Sequence, residues 1–417
     1  MDEKNSTKIT RNVYVLGITS LLNDASKTLL TLILPLYLEF FVLKDIKEVE
    51  ILKDILYLTP TVIIGVIVGL SASVGSVANA VTGYLSDKTK KTKFYTTFGY
   101  ALLPVSRFLL LFAHTWPFVL ILRLVNDIGE GMKDSPRDVI LTTSVSKKVR
   151  GKAYGIHRTL HTIGAIIGTL IALYFLFGIA SPANITQETY DQIFIISSVL
   201  AVAGVIILFI FLEEKEKPLK VARKIKFDFV NREFKLFVII AGVFSLGNFA
   251  VWWMILKTAD ALSVPGNLFG SPEIALAYLM FPVTFAILAT PVGALSDKVS
   301  RRLVVSSGYA LFGMICVGFV FASSVLGFML LFALYGLFWA TTHAMQRAFT
   351  VDLVGEEKRG TALGVFHSVS GVLAFPANLI AGYLWTGFYA DGTLTFLFGA
   401  AVAFISAVLL LVLLKEK

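Results

Sequence analysis

A single cysteine, Cys316, stands among 417 residues, so no intrachain disulfide can brace this fold and cysteine usage says nothing about redox compartment. Charge is scarce as well. Only 16% of the residues are Asp, Glu, Lys or Arg, against about 25% in soluble globular proteins. No G-x-x-x-x-G-K-[ST] phosphate loop occurs, so ATP is not the expected driver. The five histidines and lone cysteine supply no set of three metal ligands close in sequence, and no cofactor and no enzymatic activity are expected. The opening stretch MDEKNSTKITRN lacks the order of a secretory signal and reads as a short polar cytosolic tail.

What the chain has is apolar length. Hydrophobic residues make up 56% of it and mean hydropathy is +0.78. Apolar runs of about 20 residues or more recur from end to end, the mark of a polytopic helical membrane protein. Twelve spans are read, roughly at 13–43, 57–86, 94–114, 116–145, 152–179, 190–212, 235–262, 272–296, 303–323, 325–350, 361–388 and 393–414. The connections carrying Lys88–Lys93, Lys147–Lys152, Lys298–Arg302 and Glu356–Arg359, and the linker EEKEKPLKVARKIKFDFVNRE at 213–233, all fall on one side. Positive-inside bias makes that side cytoplasmic, with both termini inside and the cytoplasmic membrane as the location. The net charge of +9 therefore reads as topology, and no nucleic-acid partner is expected. An Asn184-Ile-Thr186 sequon falls in an outer loop and is an available glycosylation acceptor where that machinery exists.

One stretch breaks the apolar pattern. In RLVNDIGEGMKDSPRD, the residues Arg123, Asn126, Asp127, Glu130, Lys133, Asp134, Arg137 and Asp138 share an arc of roughly 140° at ~3.6 residues per turn. Charges at bilayer depth persist when they face a wet cavity or one another, so such a stripe marks function. The alternative, a solvated face on a soluble amphipathic helix, conflicts with the composition.

The chain also repeats. Gly83-Tyr-Leu-Ser-Asp87-Lys88 returns as Gly293-Ala-Leu-Ser-Asp297-Lys298, and Arg137 returns as Arg347, each 210 residues later. Arg150-Gly151-Lys-Ala153-Tyr-Gly155 returns as Arg359-Gly360-Thr-Ala362-Leu-Gly364, and Ser20-Leu-Leu-Asn23 answers Ser245-Leu-Gly-Asn248. Two parallel six-helix halves follow, at 1–212 and 235–417, joined by a cytoplasmic linker at 213–234.

The loops GYLSDKTKK and GALSDKVSRR resemble the signature G-x-x-x-D-[RK]-x-G-[RK]-[RK] of the major facilitator superfamily, and the resemblance covers essentially the whole chain. Within it, NDASKTLLTLILPLY and RLVNDIGEGMKDSPRD followed by RGKAYGIHRTLHTIGAIIG resemble a prokaryotic branch. The family glycine is replaced by Lys90 and Ser300, which opens both loops to a different geometry. The span-five antiporter pattern survives only as Gly164-Ala-Ile-Ile-Gly168, which leaves the direction of exchange open.

The resemblance implies a central cavity lined by spans 1, 4, 7 and 10, and these spans hold most of the intramembrane polarity. Ser20, Asp24, Lys27 and Thr31 lie within one ~60° arc of span one. For proton coupling the candidates are Asp127 or Glu130, then Asp24, because a buried carboxylate changes its proton affinity as a cation approaches or leaves. The static alternative is a structural salt bridge, and Asp134 and Asp138 fit that alternative best. Candidate substrate contacts are Asn23, Lys27, Arg123, Lys133, Arg137, His157, His161, Trp252, Trp253, Lys257, Tyr335, Trp339, His343 and Arg347. His157 and His161, four apart on span five, have the spacing of a metal pair but no third ligand in sequence; a cavity role is preferred for them, as for His343 and His367. Mid-span Trp252, Trp253 and Trp339 are read as lining for an apolar moiety, with interface anchoring as the alternative.

By resemblance, Asp87 and Lys88 with Gly83, and Asp297 and Lys298 with Gly293, would form latches between the halves. The reading is a monomeric secondary transporter for a small amphiphilic or anionic organic molecule, exporting it against protons. The alternatives are proton-coupled uptake of an organic anion and a lipid-translocating or receptor protein on the same scaffold.

Overall fold

The computed structural model describes residues 9–44, 49–52, 56–146, 149–175, 186–213, 231–262, 272–296, 299–343, 345–354, 359–386 and 391–414. Asn184 and most of the linker lie outside them, as do Asp297 and Lys298. The described residues are all-α apart from a small ribbon in which β1 (Val49–Leu52) pairs antiparallel with β2 (Leu56–Leu58). The helices are α1 (Arg11–Tyr37), α2 (Pro60–Thr89), α3 (Thr92–Leu109), α4 (Trp116–Thr143), α5 (Arg150–Tyr174), α6 (Gln187–Phe211), α7 (Arg232–Gly247) and α8 (Val251–Leu262). They continue with α9 (Pro272–Ser296), α10 (Arg301–Phe321), α11 (Val325–Thr342), α12 (Met345–Asp352), α13 (Arg359–Val372), α14 (Ala374–Trp385) and α15 (Thr393–Leu413).

Among the described residues, 11 segments are long and apolar enough to cross a membrane. The expected fourth span, α4, has the length, 28 residues, but its charged stripe lowers its hydropathy. Three expected spans are each two helices: α7 with α8, α11 with α12, and α13 with α14. Such interruptions leave backbone groups unpaired, and in a bilayer these need partners within the protein. At the α7–α8 break the partner is Asn378 on α14, whose Oδ1 accepts from Ala250 N at 2.9 Å and from Trp253 Nε1 at 3.0 Å.

Helix starts follow local sequence. Asn231 Oδ1 accepts from Phe234 N at 2.8 Å to cap α7, and Ser324 Oγ caps α11 through Gly327 N. These are the side-chain oxygens favoured at helix N-termini. The end of α2 is less usual. Lys90 has φ +58°, a left-handed conformation that favours glycine, at the position where the superfamily signature has one. The first signature loop therefore keeps a glycine-like backbone without the glycine. Ser300 has φ −48° and caps α10, so the second loop does depart from that geometry.

Two compact units are formed, Met1–Leu34 with Val74–Lys224, and Pro35–Ser73 with Ile225–Lys417. The first has an apolar core of Val13, Leu16, Tyr100, Leu103, Leu141, Ala153 and Leu208. Its α2 and α4 approach closely: a Cβ at Gly75 would lie 2.8 Å from Asp127 O, and one at Gly83 would lie 2.8 Å from Ser135 Oγ. Gly164 and Gly168 of α5 meet the backbone of α1 at Leu21 and Ala25 with no room for a Cβ, so the surviving antiporter-pattern glycines pack helices. The second unit is aromatic. Phe244 stacks on Tyr309 at 3.8 Å, and Phe249, Phe312, Phe319 and Phe396 continue the cluster.

Candidate functional site

The first unit gathers its polar residues around Glu130. Its Oε1 accepts from Asn23 Nδ2 at 3.1 Å and Arg107 Nη2 at 3.4 Å, while Oε2 lies 3.2 Å from Lys27 Nζ and 3.1 Å from Lys133 Nζ. Three cations thus share one carboxylate, the arrangement that lets charge persist out of water. The chain of contacts runs on: Lys133 Nζ to Asp134 Oδ1 at 3.0 Å, Asp134 to Arg137 at 3.0 Å, and Arg137 to Asp138 at 3.0 Å. Lys133–Asp134 and Arg137–Asp138 are sequence neighbours, whereas helical spacing creates Glu130–Lys133 and Asp134–Arg137, since residues three and four apart on α4 share a face. Arg123 pairs with Asp127 at 3.1 Å in the same way, and Asn126 Nδ2 donates to Asp127 Oδ1 at 3.0 Å.

Arg107 of α3, 1% exposed, is the residue whose importance the sequence understated. Besides Glu130 it donates to Ser26 Oγ at 2.6 Å and to Asn126 Oδ1 at 3.2 Å. It therefore ties α1, α3 and α4 together. Ser26 in turn donates to the Ser197 carbonyl of α6 at 2.6 Å. Neither serine carries a signal in sequence beyond being a small polar residue in a span.

Asp24 stands apart from this network. It is buried, and its Oδ1 lies 3.4 Å from His161 Nε2. Among the described residues no Lys or Arg forms an ion pair with it. His157 Nε2 instead meets Ser20 Oγ at 3.0 Å. The two histidines thus have different partners, and no group of three metal-ligating side chains occurs among the described residues. Lys27 is the half-exposed member, with 48% of its side chain accessible. Lys133 lies 5.0 Å from the centre of the Tyr100 ring, a cation–π contact. At the end of α2, Asp87 and Lys88 are exposed and form no ion pair among the described residues.

The second unit holds the remaining candidates. Trp253 is fully buried, tilted against Trp385 at 5.3 Å and bonded to Asn378, and Trp252 is buried beside it. Lys257 Nζ reaches the Asp391 carbonyl at 2.8 Å and Oδ2 at 3.2 Å. Tyr335, Trp339, His343 and Arg347 form a continuous column: 6.3 Å from Tyr335 to Trp339, 5.0 Å from Trp339 to His343, and 3.5 Å from His343 Nε2 to Arg347 Nη2. The lower part of that column opens on a cavity of about 280 Å³ between α7, α11, α12, α13 and α14. Ser245, Asn248, Gln346 and His367 supply its other polar walls. Gly293 has nothing within 4 Å of a notional Cβ, unlike Gly83.

Comparison with known proteins agrees with this architecture. The Major Facilitator Superfamily model matches residues 16–264 and 234–417. An MFS-type transporter of Methanocaldococcus jannaschii, MJ1317, is 32% identical over 412 residues, covering 98% of this chain and 96% of that one. The proton-coupled antiporter flippase LtaA of Staphylococcus saprophyticus is 24% identical over 345 residues, covering 81% and 82%. Among solved structures, the nucleoside transporter NupG superposes with a TM-score of 0.73 at 14% identity, covering 98% of this chain and 100% of that one. This likeness is one of fold. A chain with helical spans throughout, matched over both of its halves, belongs to the Major Facilitator Superfamily.

Proposed function

We propose that this protein is a proton-coupled secondary transporter of a small amphiphilic or anionic organic molecule, working by alternating access of two six-helix halves in the cytoplasmic membrane. Both termini lie in the cytoplasm and the working unit is a monomer. Export by antiport is the first reading of its direction. The observation that carries the coupling is the charge balance around Asp24. The linked chain from Lys27 to Asp138 holds the cations Lys27, Arg107, Lys133 and Arg137 against the carboxylates Glu130, Asp134 and Asp138. Asp24, whose Oδ1 lies 3.4 Å from His161 Nε2, is the carboxylate that balances the extra cation when that histidine is neutral. Protonation of Asp24 leaves the cluster one positive charge in excess, and deprotonation restores neutrality. A group with that choice at bilayer depth links proton movement to the arrangement of charges around it. Glu130, held by three cations, is the fixed centre about which the change occurs.

Antiport is supported by the relative that is a proton-coupled antiporter flippase, which also keeps lipid-like substrates in view. An apolar groove between α1 and α5, lined by Tyr14, Ile18, Ile156 and Leu160 with Lys152 at its rim, suits an amphiphile's chain. The second reading, uptake of an organic anion with a proton, is favoured by the same charge balance, because an anion binds best when the cluster is in cationic excess. Purified protein in liposomes with an internal pH dye decides between them. Flux that appears on addition of an amphiphile or organic anion supports proton coupling, and its sign separates antiport from symport. Absence of compound-dependent flux across a panel of amphiphiles, organic anions and sugars, in folded protein, would overturn the coupling.

A further inference from the structure

Part of the α4 stripe returns in the second half with basic residues kept and their counter-ions lost. A shift of 210 residues takes Lys133 to His343 and Arg137 to Arg347. The same shift takes Glu130 to Ala340, Asp134 to Ala344 and Asp138 to Ala348. The three carboxylates linked to Lys133 and Arg137 are thus replaced by alanine in the counterpart, while Arg137 is kept as Arg347; the Arg123–Asp127 pair falls on Ala333 and Leu337. In the first unit Arg137 is held between Asp134 and Asp138. In the second, Arg347 is exposed, with His343 at 3.5 Å and no ion pair to a carboxylate among the described residues. The carboxylate one turn further on, Asp352, belongs to Arg301 at 2.5 Å.

The surroundings are also shared. Asn23 and Asn248 are counterparts, and so are Ser20 and Ser245. Asn23 donates to the Glu130 carboxylate, whereas Asn248 lines the 280 Å³ cavity together with Ser245, Gln346, Arg347 and the two histidines. Tyr100 lies beside Lys133, and Tyr309 receives a hydrogen bond from Gln346 Nε2 at 3.0 Å. So one half encloses a built-in carboxylate amid cations and amides, and the other presents an arginine, two histidines and amides around open space.

We propose that this cavity of the second unit is an anion subsite, in which the Arg347 guanidinium, flanked by His343, His367, Gln346 and Asn248, takes the carboxylate or phosphate oxygens of the transported molecule. The substrate anion would stand where the first half has its own carboxylate. A planar guanidinium offers paired N–H donors matched to either oxyanion, and the neighbouring amides add donors. Among the described residues no Asp or Glu lines the cavity to repel it. The proposal rests on the transport reading above and specifies the substrate class that this half recognises.

The test is equilibrium binding, which needs no proton gradient, so its failure is separable from failure of proton coupling. Full-length protein in nanodiscs of neutral lipid is titrated calorimetrically with inorganic phosphate, decyl phosphate and decanoate, with decyl glucoside as the neutral control. Saturable binding of at least one of the anions is expected, weakening as salt is raised. Arg347→Gln should lower that affinity by about tenfold or more, the scale of one lost charge-assisted contact. Ala348→Asp restores the counter-ion of the first half beside an intact Arg347 and should weaken anion binding likewise, while melting as the wild type does. Binding of decyl phosphate and inorganic phosphate without decanoate assigns the site to phosphate; decanoate alone assigns it to carboxylate. Anion affinity unchanged in both variants, or no anion binding by the wild type, overturns the proposal.

Discussion

Arg107 and Glu130, on α3 and α4, meet at 3.4 Å with the arginine side chain 1% exposed. The contact is one of four that Glu130 accepts, and one of several that Arg107 donates across three helices. Arg107→Met keeps the length and removes the donors. It leaves Glu130 with Asn23, Lys27 and Lys133 but takes one donor each from Ser26 and Asn126. A loss of about 3–5 kcal/mol is expected, as for other broken buried ion pairs, read as a fall in the melting temperature of detergent-solubilised protein. Arg107→Lys should recover only part of it, because a single ammonium cannot reach three acceptors on two helices. A melting temperature within error of wild type for Arg107→Met would deny Arg107 its tying role.

Asp24→Asn and Glu130→Gln should differ in kind. Removing the charge of Asp24 fixes the cluster in its cationic-excess form, so gradient-driven transport stops while substrate exchange at equal pH continues. Glu130→Gln leaves Lys27, Arg107 and Lys133 around a neutral amide, and both activities fall along with the yield of folded protein. Exchange and gradient-driven flux measured side by side in liposomes separate the two. Retained proton-driven transport in Asp24→Asn would move the coupling role back to Glu130 or Asp127.

Asn378 holds the α7–α8 break through Ala250 N and Trp253 Nε1. Asn378→Leu preserves volume but leaves two buried donors unpaired, at about 1–3 kcal/mol each. The expected result is a lower melting temperature with a blue-to-red change in Trp emission as the Trp253 environment loosens. An unchanged melt would mean that the break finds its partners elsewhere.

Lys90→Gly runs the other way. A side chain at φ +58° costs about 1–2 kcal/mol relative to the right-handed helical conformation, and glycine escapes that cost. The variant should melt slightly higher than wild type, with Lys90→Val well below it. Equal melting temperatures for the three would show that the turn at Lys90 is not strained.

Asp391, in the loop before α15, gives a pH signature. Burial alone would raise its proton affinity, but the Thr393 backbone N–H, the Thr393 hydroxyl and Lys257 hold its pKa below the ordinary value of 3.8. A carboxylate with a depressed pKa in the folded state adds stability that is present above its unfolded pKa and lost as pH falls through the folded one. Thermal melts should therefore decline below the ordinary aspartate range, and Asp391→Asn should flatten that part of the profile. Because 46% of its side chain is accessible, the effect is small and salt-sensitive. A steeper acid decline in the variant would contradict this assignment.

Much of this was legible in the chain because membrane physics is written in one dimension. Apolar length sets the spans, and period fixes which residues of α4 share a face; so Arg123–Asp127, Arg137–Asp134 and the column from Tyr335 to Arg347 could all be anticipated from spacing. The internal offset of 210 could be read directly, and it carries the contrast between Arg137 and Arg347. The breaks at Asn248–Ala250 and Leu373 were not legible, since hydropathy stays high across them and only a distant side chain, Asn378, makes the first one stable.

Tertiary structure alone decided which charges meet. Sequence spacing cannot show that Arg107, from the next helix, reaches Glu130, or that Asp24 faces His161 instead of a lysine, because those distances depend on how α1, α3, α4 and α5 are packed. Composition and periodicity determined that the chain crosses a membrane and where its polar faces lie. The glycine contacts that set helix separation determined which polar faces could touch, and hence that Glu130 is locked among cations while Asp24 faces a histidine.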